Sequence, residues 1–210
     1  GDIPARGLVG HGDAIDEVRE LIGDLAADDV PALLIGEDGV GKARVAKAIH
    51  EASSRGGRVF TALDLGAVPP DKVHDTLTSA KGPIASTHEG TLYLEGLEEI
   101  SDEDQGLIFD LIRKGELTTP EGPLAVDVRV LVGSGRELEH GVGDGFLRTE
   151  FTVLFTMSLY IPALRHRRED IAPLFMHFLR QALRNAGNVT VLQDGGPGRP
   201  LWLPPDFIGR

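Results

Sequence analysis

The chain has 210 residues, enough for one large domain or a domain with a small appendage. Its 33 acidic residues outweigh 21 Lys and Arg, a formal net charge of −12, so it lacks the clustered positive charge that non-specific nucleic-acid binding needs. Cysteine is absent, which excludes disulfides, thiolate metal sites and a Cys nucleophile. No apolar run reaches membrane-span length and no basic-then-apolar leader opens the chain, so a cytoplasmic location is expected.

Strand and helix patterns alternate, which predicts an α/β domain with a mostly parallel sheet. Ile15, Val18, Leu21, Ile22 and Leu25 recur at helical spacing behind Asp13, read as an N-cap. Ala32 to Ile35 reads as a buried strand. A Gly-rich loop and a helix carrying Val45, Ala46 and Ile49 follow. Val59 to Leu65 predicts the second strand, Asp71 to Ser79 a helix, and Thr91 to Glu95 the third strand. Ser101 with Asp104 resembles a capping box, opening a helix through Leu107, Ile108, Leu111 and Ile112. Val126 to Val132 predicts the fourth strand, Phe146 to Leu154 a helix, and Met157 to Ile161 the fifth strand. Pro162 marks a boundary between a core over residues 1–162 and a partial helical lid over 163–210. The lid opens with an apolar-striped helix from Ile171 to Leu183, ending near Gly187. The run from Gly195 to Pro200 reads as a loop, Pro204-Pro205-Asp206 as the start of another helix, and the lid as incomplete at Arg210.

Gly36-Glu37-Asp38-Gly39-Val40-Gly41-Lys42 fits G-x-x-x-x-G-K between a predicted strand and a predicted helix. Glycines let successive backbone N–H groups point at one phosphate chain, and the helix N-terminus adds favourable partial charge. Lys42 would reach the β- and γ-phosphates. The general pattern continues with Ser or Thr, whose hydroxyl ligates Mg²⁺; here Ala43 carries no oxygen, and Arg44 follows. The seven histidines show no metal-ligand spacing with an acidic partner, and Trp202 carries no motif. The local basic run Arg165, Arg167 and Arg168 sits beside Glu169 and Asp170, which favours a core–lid hinge with nucleotide contacts over a nucleic-acid contact.

Leu8-Val9-Gly10, the loop from Gly36 to Lys42, Val45-Ala46-Lys47-Ala48-Ile49-His50, Gly90-Thr91-Leu92-Tyr93-Leu94, Val128-Arg129-Val130 and the block Pro162 to Ile171 occur in that order. Together they resemble the central AAA+ domain of sigma-54-dependent transcriptional activators, the bacterial enhancer-binding proteins. The last block is similar to that family's P-P-L-R-x-R-x-x-D-I. The resemblance implies a three-layer α/β/α core with a mostly parallel five-stranded sheet and a small helical lid. It implies ATP or ADP between core and lid, with Leu8 and Val9 flanking the adenine and Arg165 and Ile171 at the lid side. It also implies a homo-oligomeric ring and a DNA-binding module outside this chain.

The sequence departs from the family where the chemistry lies. The family's third strand ends in Asp-Glu, the Asp ordering Mg²⁺ and the Glu polarising water. Here stand Glu95, a candidate Mg²⁺ carboxylate, and Gly96, which has no side chain. Glu98 and Glu99 just beyond read as a solvated loop. The family's G-A-F-T-G-A loop, which touches the sigma factor, is replaced by Ala80-Lys81-Gly82-Pro83-Ile84, which argues against that contact. Of the family's two finger arginines, which reach a neighbouring subunit's γ-phosphate, Arg148 meets the first with a one-residue slip, and Val153 stands at the second. Ser134 and Arg136 occupy the sensor region.

Three functions compete. The first is a degenerate AAA+ domain that binds ATP or ADP as a regulatory or structural ligand with weak or no hydrolysis. The second is an active ATPase that remodels sigma-54 RNA polymerase, and the third another P-loop enzyme. The Pro162 to Ile171 block disfavours the third. The joint loss of Glu, finger and loop favours the first, while an interaction domain without nucleotide stays open.

Overall fold

In the computed structural model, which describes residues 8–135 and 148–186, apolar runs separated by polar turns become a layered α/β domain. The elements are α1 (Asp13–Ala27), β1 (Ala32–Ile35), α2 (Lys42–Ala52), β2 (Phe60–Asp64), α3 (Val73–Thr78) and β3 (Thr91–Glu95). They continue with α4 (Asp102–Lys114), β4 (Glu116–Thr119), β5 (Gly122–Ala125) and β6 (Arg129–Ser134). Last come α5 (Phe151–Leu154), β7 (Met157–Tyr160) and α6 (Ile171–Asn185). Five strands form one sheet in the order β2-β3-β6-β1-β7, with every neighbouring pair parallel.

Side chains alternate across each strand, so one run feeds two cores. Leu34, Tyr93, Leu131 and Leu159 face α1 and α2, joining Ile15, Val18, Ile22, Val45 and Ile49. Leu33, Leu92, Leu94, Val130 and Val132 face the other way, onto Val73, Leu77, Ile108, Leu111 and Phe151. A parallel sheet covered on both faces explains why these strands read as continuous apolar runs. It also places all five carboxyl ends on one edge, where β1 and β3 give way to the Gly-rich loop and to Gly96.

Several boundaries differ from expectation for local reasons. Asp13 is not the N-cap of α1: Gly12 holds that position without a side-chain cap, and Asp13 lies in the first turn. The carboxylate at this helix start comes instead from Asp170, whose Oδ1 accepts from the His11 and Gly12 N–H groups at 2.7 and 3.2 Å. The capping box of α4 forms, with Ser101 Oγ accepting from the Asp104 N–H at 3.1 Å. The helix expected over 71–79 is a 3₁₀ turn (Pro70–Lys72) followed by α3. The fourth sheet strand begins at Arg129 rather than Val126. The Val126 N–H is taken by Gly115 O at 2.8 Å and the Asp127 carbonyl by the Glu89 N–H at 2.6 Å. The antiparallel hairpin β4–β5 was not expected. The two inward residues of β4 are Leu117 and the polar Thr119, and β5 is largely exposed, which leaves little apolar alternation to read. Within the described part of the helix expected over 146–154, only Phe151–Leu154 is α-helical, and α6 ends at Asn185. Arg136, Trp202, the run from Gly195 to Pro200 and the turn at Pro204 lie outside the described residues. No helix among the described residues is long and apolar enough to cross a membrane.

His50 packs inside this frame against Phe60 and bridges two elements. Its Nε2 lies 3.2 Å from Arg58 O, an acceptor, so Nε2 carries the proton and Nδ1 accepts from the Thr91 hydroxyl at 2.9 Å. Burial pushes the His50 pKa below its ordinary value. As pH falls the unfolded chain therefore protonates first. The stability held by neutral His50 is complete above the unfolded pKa and is lost as pH falls toward the folded one. Urea midpoints measured from about pH 7.5 down to about pH 5.5 should fall more steeply for the native sequence than for His50→Gln.

Candidate functional site

The loop between β1 and α2 is built to expose backbone N–H groups. Gly41 is in a left-handed conformation, φ 106°, and is the residue from which α2 starts. A side chain there would be strained, which is why the turn needs glycine. The loop is tied to the sheet by the Gly36 N–H, which donates to Ser134 O at 3.0 Å. Lys42, the first residue of α2, folds back beneath the loop with its side chain only 2% exposed. Its Nζ donates to Gly36 O at 2.9 Å and Glu37 O at 3.3 Å, and pairs with Glu95 Oε1 at 3.0 Å across the gap to β3.

Glu95 is held from its other side too. The Tyr93 hydroxyl donates to Glu95 Oε2 at 3.0 Å. Burial, reinforced by the Glu95 charge, pushes the Tyr93 phenol well above its ordinary range, so it remains a proton donor. This reach depends on a neighbour: a Cβ at Gly133 on β6 would lie 2.1 Å from the Tyr93 hydroxyl oxygen. Gly96 follows at φ 77°, where a Cβ would stand 3.0 Å from the Gly66 N and 3.4 Å from Glu99 Oε1. A glutamate at position 96 would thus meet both backbone strain and the Glu99 carboxylate. Glu37, Asp38, Glu95, Gly96, Glu98, Glu99, Gly133 and Gly135 surround a cavity of about 440 Å³. Five of those eight residues are acidic, and none is basic.

A second cavity, about 560 Å³, lies on the opposite side of the loop, under α6. Leu8, Val9, Glu37, Asp38, Gly39, Val40, Gly41, Arg44, Arg165 and Ile171, all singled out in the sequence, line it together. Three contacts join the lid side to the loop. Arg165 pairs with both carboxylate oxygens of Glu37, one at 2.7 Å, and this hydrogen-bonded partner holds Glu37 below the usual carboxylate range. Arg167, 6% exposed, donates to Val40 O at 3.3 Å. The Arg44 guanidinium lies 5.5 Å from the Phe178 ring centroid. Asp170, fully buried, adds its bonds to the segment before α1. Tyr93, Phe175 and Phe178 were not assigned to the site from sequence, where Arg167 reads only as part of a basic hinge run with nucleotide contacts. Arg167 sat inside the lid block already noted, and the two phenylalanines on the striped helix.

Other expectations fall elsewhere. Ser134 is buried at the end of β6, with its carbonyl anchoring Gly36. Ala43 is exposed and offers a methyl group. Arg148, expected to reach a neighbouring subunit rather than its own site, lines neither cavity of its own chain. Its guanidinium is pinned to the start of α4, 3.0 Å from Asp102 Oδ2, and to Glu150 at 3.2 Å. Val153 is 71% exposed. Among the described residues no three His, Asp or Glu side chains converge as a metal-binding group. The Mg²⁺ expected at Glu95 therefore finds a poor donor set, with both Glu95 oxygens engaged, no hydroxyl at Ala43 and no side chain at Gly96.

A parallel five-stranded sheet with a glycine loop and buried lysine at its carboxyl edge, and a helical element over that loop, defines a P-loop domain of the AAA+ type. Residues 8–159 match the family described as the Sigma-54 interaction domain, and the chain belongs to that family. It is 31% identical to the DNA-binding transcriptional regulator NtrC of Salmonella typhimurium, over 88% of this chain and 42% of that protein. It is 33% identical to the phenol regulator MopR of Acinetobacter guillouiae, over 96% of this chain and 39% of that protein. The crystal structure of NtrX from Brucella abortus in complex with ATP matches with a TM-score of 0.80 and 31% identity, over 86% of this chain and 42% of NtrX. The NtrX complex with ADP matches with a TM-score of 0.80 and 29% identity, over 87% of this chain and 43% of NtrX. The chain thus spans about two fifths of the length of these relatives.

The Tyr93–Gly133 approach makes a direct prediction. Gly133→Ala should lower stability by about 1–3 kcal/mol, the usual cost of overpacking a filled site. Adding Tyr93→Phe should recover part of that loss, because the atom in closest conflict is the hydroxyl. Chemical denaturation of the two single variants and the double variant would measure the coupling.

Proposed function

We propose that this domain is a degenerate AAA+ module of a longer transcriptional regulator. It binds ATP or ADP on the loop from Gly36 to Lys42 and uses occupancy to set the geometry between core and lid, with weak or no hydrolysis. The observation that carries this reading is the placement of the loop between two cavities, one roofed by α6. A nucleotide spanning them would touch core and lid at once. The apolar cavity beside Leu8, Val9 and Phe178 suits a purine base. The loop N–H groups and the start of α2 suit the phosphates. Solved complexes of NtrX with ATP and with ADP support the ligand class.

In this reading residues 1–162 form the core and the lid begins at residue 163. Gly36 to Arg44 hold the phosphates, Leu8 and Val9 flank the base, and Arg165 and Ile171 report occupancy to the lid. A phosphate reaching Lys42 competes with Glu95 for the ammonium. One arriving beside Glu37 competes for Arg165, so occupancy and lid position are exchanged through the same two cations. Hydrolysis needs a group that orients water and accepts its proton, typically ~10²–10⁴-fold in rate. Gly96 has no side chain to supply it. The relatives named as DNA-binding regulators make further domains of the same protein its expected partners, in the cytoplasm. Contact with sigma-54 through the family loop is not expected.

Calorimetric titration tests the ligand. Lys42→Ala should weaken nucleotide binding by at least about tenfold, because a charge-assisted contact is lost. Equal binding by both proteins would overturn the assignment. Single-turnover phosphate release at saturating ATP and Mg²⁺ should run far below the enzymatic range of about 1–10³ s⁻¹. Release near the bottom of that range, abolished by Lys42→Ala, would restore the motor reading. With Val153 at the finger position, light scattering should find monomer or dimer in ATP rather than a hexamer.

A further inference from the structure

We infer that the site discriminates against a third phosphate, selecting a nucleoside diphosphate over the triphosphate without help from a divalent cation. The inference rests on the reading that nucleotide phosphates lie on the Gly36 to Lys42 loop. It concerns what waits beyond the second phosphate.

The Lys42 side chain points from the start of α2 past Gly36 O toward Glu95, at the end of β3. A phosphate chain lengthened past Lys42 enters the smaller cavity. There it meets the carboxylates of Glu37, Asp38, Glu95, Glu98 and Glu99, and no lysine or arginine among the lining residues. The first two phosphates face loop N–H groups and a helix N-terminus. The third adds negative charge to a wall of negative charge. Lys42 cannot offset that alone, since its ammonium is already paired with Glu95 and displacing Glu95 frees another carboxylate.

P-loop sites ordinarily offset the third phosphate with Mg²⁺, held by a loop hydroxyl and a strand-end carboxylate, and with an arginine finger. Each device is missing or engaged among the described residues. Ala43 has no oxygen. Glu95 Oε1 is bound to Lys42 and Oε2 to the Tyr93 hydroxyl, each at 3.0 Å. The acidic side chains around the cavity do not converge as a metal-holding group. Arg148, the nearest match to a finger in the sequence, is held at the start of α4 by Asp102. Among the described residues, repulsion by Glu98 and Glu99 therefore stands uncompensated and works as a filter on phosphate number.

The test is calorimetric titration of the domain with ADP and with ATP, each in EDTA and in excess Mg²⁺, beside the Glu98→Gln/Glu99→Gln double variant. ADP should bind at least about tenfold tighter than ATP in both media, and Mg²⁺ should move the ADP affinity by less than about threefold. The double variant should shrink the ADP-to-ATP ratio to within about threefold, its fold checked by thermal melting. ATP binding as tightly as ADP in either medium would overturn the inference, as would a ratio unchanged in the folded double variant. Should neither nucleotide bind, or should Lys42→Ala bind both as the native chain does, the phosphate-loop reading itself falls.

Discussion

A lysine ammonium with a side chain 2% exposed cannot be left without compensation, and the site is arranged around satisfying Lys42. Two backbone carbonyls of its own loop, the Glu95 carboxylate from β3 and, at 3.4 Å, the loop carboxylate of Asp38 surround it. Glu95 is in turn fixed by Tyr93, and Tyr93 reaches it because β6 carries Gly133 at the point of approach. One buried charge thereby dictates residues on two neighbouring strands, β3 and β6, and on the loop after β1. The parallel sheet makes this feasible, because it brings the carboxyl ends of β1, β3 and β6 side by side.

The lid connects to the same centre by a different kind of contact. Asp170 accepts N–H groups that precede α1, and Arg167 donates to the loop carbonyl of Val40, so the segment leading into α6 is anchored to the start of α1 and to the loop between β1 and α2. Between these buried anchors lies the exposed Arg165–Glu37 pair. An exposed pair contributes little net stability and is readily exchanged. A buried anchor beside an exchangeable pair suits the proposed function, in which occupancy of the loop sets the geometry between core and lid.

Charge gives the domain its functional character. A chain of net charge −12 concentrates carboxylates at the end of β3, on one side of the loop, and apolar and aromatic side chains on the other. The glycine at position 96 takes a left-handed conformation, so the missing side chain there is built into the backbone path and is not a simple truncation. In the proposed reading, the loop keeps a binding surface while positions 43 and 96 carry no hydroxyl or carboxylate that would drive turnover. That combination suits a domain whose ligand is read rather than consumed.

The sequence by itself determined the sheet strands to within a few residues, the Gly-rich loop and the striped helix α6. These depend on local patterns: apolar runs, glycine spacing and helical periodicity. It also determined that Ala43 and Gly96 lack functional groups, since that is a matter of composition. The β4–β5 hairpin escaped because the two inward residues of β4 are Leu117 and the polar Thr119 and β5 is largely exposed, so burial alternates where apolar character does not. The cap of α1 escaped because Asp170, 158 residues beyond Gly12, supplies the carboxylate that Asp13 was expected to supply. Only the tertiary structure decided that both Glu95 oxygens are committed, that Tyr93 requires Gly133, and that Arg167 faces the loop. These facts arise where strand ends and the lid converge, and the separation of their partners along the chain hides them from any local pattern.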